Sequence, residues 1–421
     1  MILAKGTVLP DDRLSQVLGE LPDDIIALRP CPPLSSRVVI DTCASLLERL
    51  DRGELDHLIR RYATPQMLEA LEQYRGLLRP ESLEYKLSVE TRGLLPGGER
   101  PFGRACVLPL GTLLHITAGN MDGLPAFSVV EGLLTGNINL LKLPSGDSGL
   151  SLALLKLLID TEPRLSPYVY VFSIPSSDKA SLKILADLAD GIVTWGGDEA
   201  IRAVRAMAPA GCKLMEWGHR LSFAYCSGIP MEKDLEDLSR HIIRTGGLLC
   251  SSCQVIYLDT EDLDKARSFC RRFLPILESA AAEGHQTPGQ AAQGTLHGYE
   301  HVLELAVADS KAQVFRGRGC SVTLCPDQKL ELSPLHGNIL VKCLPREKLV
   351  RALFPQRGRL QTAGLLCPPQ EREELSALLA RAGVTRVTAA GHMSEPFLGE
   401  CHDGEYPLGR YLRVVDTEAV L

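Results

Sequence analysis

From residue 105 onward the chain keeps one rhythm, in which short apolar runs alternate with amphipathic segments of helical period. ACVLPLG (105–111), LLHITAG (113–119), NINLLKLP (137–144), YVYVFSIP (168–175) and GIVTWG (191–196) have the length and apolar content of buried strands. Between them, Leu124–Leu134, Ser148–Ile159, Lys179–Leu188 and Glu199–Met207 read as helices. Strands apolar on both faces, each followed by a helix, build a parallel sheet covered on both sides. The fold class is therefore α/β. Ligands on such sheets collect at the carboxyl ends of the strands.

The rhythm also sets the expected organisation. Residues 1–100 read as a charged, helical front section, with period-3.6 stretches at Ser36–Arg52 and Pro65–Leu78. GLLPGGERPFGRA (93–105) is a Gly/Pro/Arg-rich break. Residues 101–228 form the first α/β region, closing on KLMEWG and LSFAYCSG. A second α/β region, 229–390, contains helices Met231–Arg244, Leu263–Ala282 and Gln370–Ala382 and strands AQVFRG, SVTLCP, NILVKCL and RLQTAGLL. Residues 391–421 end in an apolar strand that crosses back or bridges subunits.

Composition narrows the function. With 45 basic and 52 acidic residues, no cationic excess exists to neutralise phosphates, so nucleic acid is not an expected partner. No run of about 18 apolar residues spans a bilayer. MILAKGTVLPDDRLSQ lacks the apolar core of a signal peptide, so a cytoplasmic location is expected. The 13 cysteines are odd in number and irregularly spaced, which in a reducing compartment reads as small buried hydrophobes, Cys106, Cys212, Cys226 and Cys343 among them. The histidines (His115, His219, His241, His336, His392 and His402) show no metal-ligand spacing, and no metal is expected. GxSxG and P-loop motifs are both absent.

One segment could carry chemistry by itself: Thr245-Gly-Gly-Leu-Leu-Cys250-Ser-Ser-Cys253-Gln254, followed by the apolar run VIYLD. Three readings compete. Two inert thiols is the plainest. A CxxC redox pair or half a zinc site is the second, although a redox CxxC opens a helix and no second pair has zinc spacing (Cys320 and Cys325 match weakly). The third is a nucleophile on a flexible loop held by rigid structure.

Resemblance supports the third. CSSCQVIYL resembles the active-site segment of CoA-acylating aldehyde dehydrogenases, with Cys250 at the nucleophile's position and Cys253 at a variable one. The order of the other segments fits the same superfamily. HITAGNMDGLPAFSVVEGLLTGNINLLKLPS resembles the stretch with the oxyanion asparagine and cofactor lysine. VTWGGDEAIRAV resembles the pyrophosphate turn, and KLMEWGHRLSFAYC the general-base segment. CSSCQVI, RLQTAGLL and HDGEYPLGRYLRVVD are most similar to the LuxC-type long-chain acyl-CoA reductase family. The resemblance covers residues 100–421 and implies an aldehyde dehydrogenase-like fold, with a nicotinamide-binding Rossmann-like domain and an α/β catalytic domain. A late cofactor-ribose glutamate has no counterpart here.

The resemblance also assigns roles. Asn120 becomes an oxyanion donor; locally it reads equally as a turn former before Met-Asp-Gly. Lys142 ends a strand and reaches the adenosine ribose; otherwise it is a solvated strand end. Where NAD-specific relatives carry a ribose-binding glutamate, this chain has Ser145, which favours NADPH over NADH, with Asp147 close by. Thr194, Trp195, Gly196 and Gly197 take the pyrophosphate turn; read locally, the glycines merely connect elements and Asp198 caps the helix starting at Glu199. Glu216 is either a general acid/base or a salt-bridged structural residue. It could protonate a thiohemiacetal oxygen or allow slow thioester hydrolysis.

The implied reaction is NADPH-dependent reduction of a fatty acyl-CoA to an aldehyde and coenzyme A through an S-acyl cysteine. Luminescent relatives work beside an acyl-protein synthetase, and relatives assemble into homo-oligomers. Two alternatives stand: a short-chain CoA-acylating aldehyde dehydrogenase using NAD, and a catalytically silent acyl-binding or scaffold protein.

Overall fold

The computed structural model describes residues 1–62, 75–92, 97–100, 103–117, 123–284, 288–308 and 310–418. The chain divides into two compact units, Met1–Gly218 with Phe397–Leu421, and His219–Pro396.

The first unit holds a seven-stranded sheet in the order Thr7–Leu9, Ile2–Ala4, Val169–Phe172, Ile138–Lys142, Thr112–Ile116, Gly191–Trp195, Lys213–Trp217. The last five strands are mutually parallel. Thr112–Ile116, the first of them in the chain, is central. The order reverses between it and Gly191–Trp195, and at such a switch point a doubly wound sheet opens its ligand crevice. Helices Leu14–Leu28, Lys179–Asp187 and Asp198–Met207 bury Leu21, Leu185 and Val204 on one face. Helices Ser36–Asp51, Leu124–Leu134 and Leu150–Thr161 bury Val39, Val129 and Leu155 on the other. The front section is thus not wholly helical. Ile2–Ala4 is buried, and a buried backbone must be paired, so it adds antiparallel to Val169–Phe172.

A second, three-stranded antiparallel sheet pairs Leu412–Glu418 with Gly103–Pro109, and that strand with Gly97–Arg100. Part of the Gly/Pro/Arg-rich break is therefore a strand. Ladder hydrogen bonds come from the backbone, so no side-chain alternation announces it. The final strand pairs within its own chain.

In the second unit seven strands run Gln313–Gly317, Cys320–Cys325, Asn338–Cys343, Cys253–Leu258, Leu221–Cys226, Leu360–Leu366, Arg386–Ala389. All are parallel except the first, an antiparallel edge. Leu221–Cys226 pairs on both sides within this sheet, so the sequence boundary at 228 falls beyond a strand that belongs to the second unit. Helix Pro288–Val307, not expected from the sequence, approaches its sheet through glycines, while its Leu296, Tyr299, Leu303 and Val307 are exposed. A Cβ at Gly294 would stand 2.8 Å from the His336 carbonyl, and one at Gly298 3.0 Å from Asn338 Oδ1. No described helix is long and apolar enough to cross a membrane.

Candidate active site

Helix Glu232–Thr245 ends in two left-handed glycines, Gly246 (φ 56°) and Gly247 (φ 80°), and the chain turns through Cys250 into Cys253–Leu258. Only glycine adopts two such conformations in succession cheaply. The turn separates the two thiols. Cys250 is exposed, whereas Cys253 is buried and burial pushes its thiol up to about 12. Cys253 is a core residue and Cys250 the accessible one. None of the thirteen cysteines is in a disulfide, so the pair forms none. Among the described residues no group of three or more His, Cys, Asp and Glu is placed to hold a metal.

Buried side chains pin this turn. Gln254 Nε2 donates to the Gly247 carbonyl (2.9 Å), and Gln254 Oε1 accepts from the Ser333 amide and hydroxyl (3.0 Å each). Ser222 Oγ donates to the Cys250 carbonyl at 2.7 Å. The His336 amide donates to the Gly246 carbonyl at 2.9 Å. His336 (φ 47°) and Leu335 (φ 65°) are left-handed without being glycine. Each such residue costs on the order of 1–3 kcal/mol and persists where surrounding structure dictates it. Ser222, Ser333, Leu335 and His336 were not singled out from the sequence for this role; only Gly337 in SPLHGN hints at a turn.

Cys250 lies at the amino end of its parallel strand. The carboxyl ends of this sheet carry an ion cluster instead: Arg346 pairs with Asp259 (2.7 Å) and Glu371, and Ser227 donates to Glu371 (2.7 Å). The candidate residues Lys142, Thr194 and Trp195 lie at carboxyl ends of the first sheet, whereas Cys250 lies at an amino end of the second.

On the first sheet Lys142 ends its strand and is 4% exposed. Among the described residues its Nζ has one hydrogen-bond partner, Ser176 Oγ at 3.1 Å. Burial and the nearby Lys179 ammonium both push its pKa down. A buried ammonium beside a second cation, with no carboxylate partner, is a seat for an anion. Just beyond it, a cavity of about 400 Å³ is lined by Ser145, Asp147, Gly149, Ser173, Ile174 and Pro175, among others. The Asp147 carboxylate is engaged, taking the Gly149 amide (2.7 Å) and the Ser151 hydroxyl (3.0 Å) at the start of helix Leu150–Thr161. Ser145 is exposed. These are the groups that the resemblance assigns to a dinucleotide's ribose.

Thr194 and Trp195 end the strand at the switch point, and Gly197 caps helix Asp198–Met207. The Gly196 amide donates to the Trp217 carbonyl (3.1 Å). The Trp195 ring packs against Trp217 and His402 (centroids 5.7 and 4.9 Å), so its side chain is structural. Glu216, on Lys213–Trp217, accepts from Arg205 Nε (2.7 Å) and Nη2 (2.6 Å) in a two-pronged ion pair. Asn120 lies outside the described residues.

His115 is wholly buried under this sheet, with Nδ1 2.7 Å from Ser128 Oγ and Nε2 3.0 Å from Asn139 Oδ1. Burial pushes its pKa down to about 4, and that of buried His241 to about 3. Both stay neutral when folded, whereas the unfolded chain takes up protons below about pH 6.5. Stability is therefore lost as pH falls from about 6.5 toward 4, by about 2 kcal/mol per histidine at pH 5. Urea midpoints at pH 7 and pH 5 will show this fall, and His115→Gln will lessen it.

A family model described as acyl-CoA reductase (LuxC) matches residues 39–414. The chain belongs to the LuxC acyl-CoA reductase family. This LuxC-family chain is 24% identical over 320 residues to a long-chain acyl-protein thioester reductase of Aliivibrio fischeri, covering 74% of this chain and 64% of the relative. It is 23% identical over 315 residues to long-chain acyl-protein thioester reductase 2 of Photobacterium leiognathi, covering 74% and 65%. The match thus spans less than two thirds of either relative's length. Among solved structures, lactaldehyde dehydrogenase superposes with a TM-score of 0.69 at 15% identity, over 100% of this chain and 96% of that one. A bifunctional proline utilization A protein gives 0.75 at 14% identity, over 98% and 45%. At these identities the likeness shows the fold, which is that of the aldehyde dehydrogenases.

Proposed function

We propose that this chain reduces a long-chain acyl thioester to the aldehyde, with NADPH as hydride source and Cys250 as acyl carrier. The reading is carried by the one exposed thiol of the CSSCQ segment, presented on a turn whose carbonyls are held by buried donors. The thioester is acyl-CoA, as the family's description has it, or an acyl-protein, as the relatives' names have it. An acyl-protein synthetase is the class of enzyme that supplies the latter.

The Cys250 thiolate attacks the thioester carbonyl, forming a C–S bond while the carbonyl pair moves to oxygen. The Asn120 amide and the Cys250 backbone N–H are assigned to that oxygen; one such donor contributes about 3–4 kcal/mol. The carbonyl re-forms, the thiol of coenzyme A or of the acyl-protein leaves, and S-acyl Cys250 remains. A nicotinamide held beside it would supply the hydride to the acyl carbon of S-acyl Cys250. The resulting thiohemiacetal releases the Cys250 thiolate and the aldehyde. Lys142, Ser145 and the Thr194–Gly197 turn would hold the cofactor, the buried Lys142 ammonium favouring a 2′-phosphate. Both Glu216 oxygens accept from Arg205, which restrains this carboxylate from activating water and favours survival of the acyl-enzyme.

The deciding experiment follows NADPH oxidation by purified protein with tetradecanoyl-CoA, beside acetyl-CoA and NADH. Turnover favouring the long chain and NADPH is expected. Preference for acetyl-CoA or NADH would move the chain to the short-chain CoA-acylating dehydrogenases. No turnover with any pair, from folded protein with reduced Cys250, would leave an acyl-binding scaffold.

A further inference from the structure

We propose that Ser222 is a positioning residue for Cys250, acting through the Cys250 carbonyl. The inference rests on the nucleophile reading above and extends it to how the thiol is aimed.

Ser222 is fully buried near the start of Leu221–Cys226, the strand between Cys253–Leu258 and Leu360–Leu366. Both neighbours slip at its level. Ser222 pairs with Cys253 and Phe223 with Val255, so Gln254 is an extra residue on one side. Leu221 pairs with Leu360 and Phe223 with Ala363, so the other side also carries one residue too many. Bulges of this kind break the ladder locally and re-aim side chains, often beside active sites.

Here the slips have specific uses. On one side, Gln254 is turned toward the Gly247 carbonyl. On the other, the Thr362 amide donates to Ser222 Oγ at 3.0 Å. That bond occupies the hydroxyl as an acceptor, so its proton is directed to the Cys250 carbonyl at 2.7 Å. Ser222 thereby fixes the peptide plane that follows Cys250, and with it the direction in which the thiol leaves the turn. It touches no substrate. Removing its hydroxyl takes away the bond it gives the Cys250 carbonyl and the one it accepts from the Thr362 amide, while the thiol stays accessible.

The test compares two reactions of the same thiol. Acylation by tetradecanoyl-CoA in a single turnover, read by mass spectrometry of the quenched protein, needs a directed attack. Alkylation by iodoacetamide does not. Ser222→Ala is expected to slow acylation about ten- to a hundredfold, the scale of a small misplacement of a reacting group. Alkylation should stay within roughly threefold of wild type, and Ser222→Thr should restore acylation to roughly the same margin. Acylation at the wild-type rate in Ser222→Ala, or acylation and alkylation falling by one common factor, overturns the proposal. Should the alanine variant not fold, Ser222→Cys keeps the volume with a weak donor. Unchanged acylation there overturns the proposal equally, and slowed acylation with preserved alkylation supports it. Wild-type protein that is never acylated at Cys250 would instead overturn the function proposed above.

Discussion

Cys250→Ala will abolish both S-acylation and aldehyde formation, whereas Cys253→Ala will preserve both. In the first variant no atom is left to carry the acyl group, and the remaining binding and electrostatic groups cannot substitute for a covalent step. Losing a nucleophile lowers turnover on the order of a thousandfold or more. In the second variant a small, fully enclosed side chain is trimmed. Its thiol is held up at about 12 by burial, so almost none is thiolate at neutral pH. The expected cost is about 1–2 kcal/mol of stability, at the lower end for a core truncation, with chemistry unchanged. The check is peptide mapping after incubation with tetradecanoyl-CoA and no NADPH. One adduct is expected, on the peptide containing Cys250, and none in Cys250→Ala. An adduct that survives that substitution would remove Cys250 from the mechanism.

The contrast between these cysteines shows how far the sequence could be read. Alternating apolar runs and helical segments marked the strands of both main sheets except Ile2–Ala4, Thr7–Leu9 and Arg386–Ala389, because burial on two faces writes itself into composition. Helix Pro288–Val307 escaped although Leu296, Tyr299, Leu303 and Val307 lie at helical spacing; that stripe is exposed, and glycines make the close approach to the sheet. CSSC offered two thiols with equal claims until resemblance favoured one; burial then gave an independent reason for the same choice. The clamp on the turn was beyond reach. Ser222 and Gln254 act where two neighbouring strands slip register, and register is a property of the pairing, not of any one strand. The Arg205–Glu216 pair joins a helix to the following strand, at a spacing no local pattern predicts. The left-handed backbone of Leu335 and His336 contradicts their own preference and is imposed by what surrounds them.

Ser145→Glu will reverse the choice of nicotinamide cofactor. The argument begins with charge. Lys142 is buried, its hydrogen-bond partner is a hydroxyl, and the Lys179 ammonium is near enough to lower its pKa. A buried ammonium that has no carboxylate partner among the described residues is costly unless an anion joins it, and the phosphate on a phosphorylated ribose carries nearly two negative charges. Ser145 lines the adjoining cavity and offers a hydroxyl. Asp147, the carboxylate that could oppose the phosphate, has its oxygens turned to the Gly149 amide and the Ser151 hydroxyl. A glutamate at 145 would give the ammonium groups a resident counter-ion and set a carboxylate against the phosphate. Like charges forced together cost several kcal/mol, so the ratio of kcat/KM for NADPH to that for NADH should fall by about a hundredfold or more. The change should lie mainly in KM for NADPH, because cofactor grip is altered while the Cys250 turn is untouched. Titration with 2′,5′-ADP and 5′-AMP, following protein fluorescence, gives the same comparison without turnover: wild type should prefer the former and Ser145→Glu should lose that preference. Equal affinity of wild type for the two nucleotides would show that the ammonium pair serves some other anion.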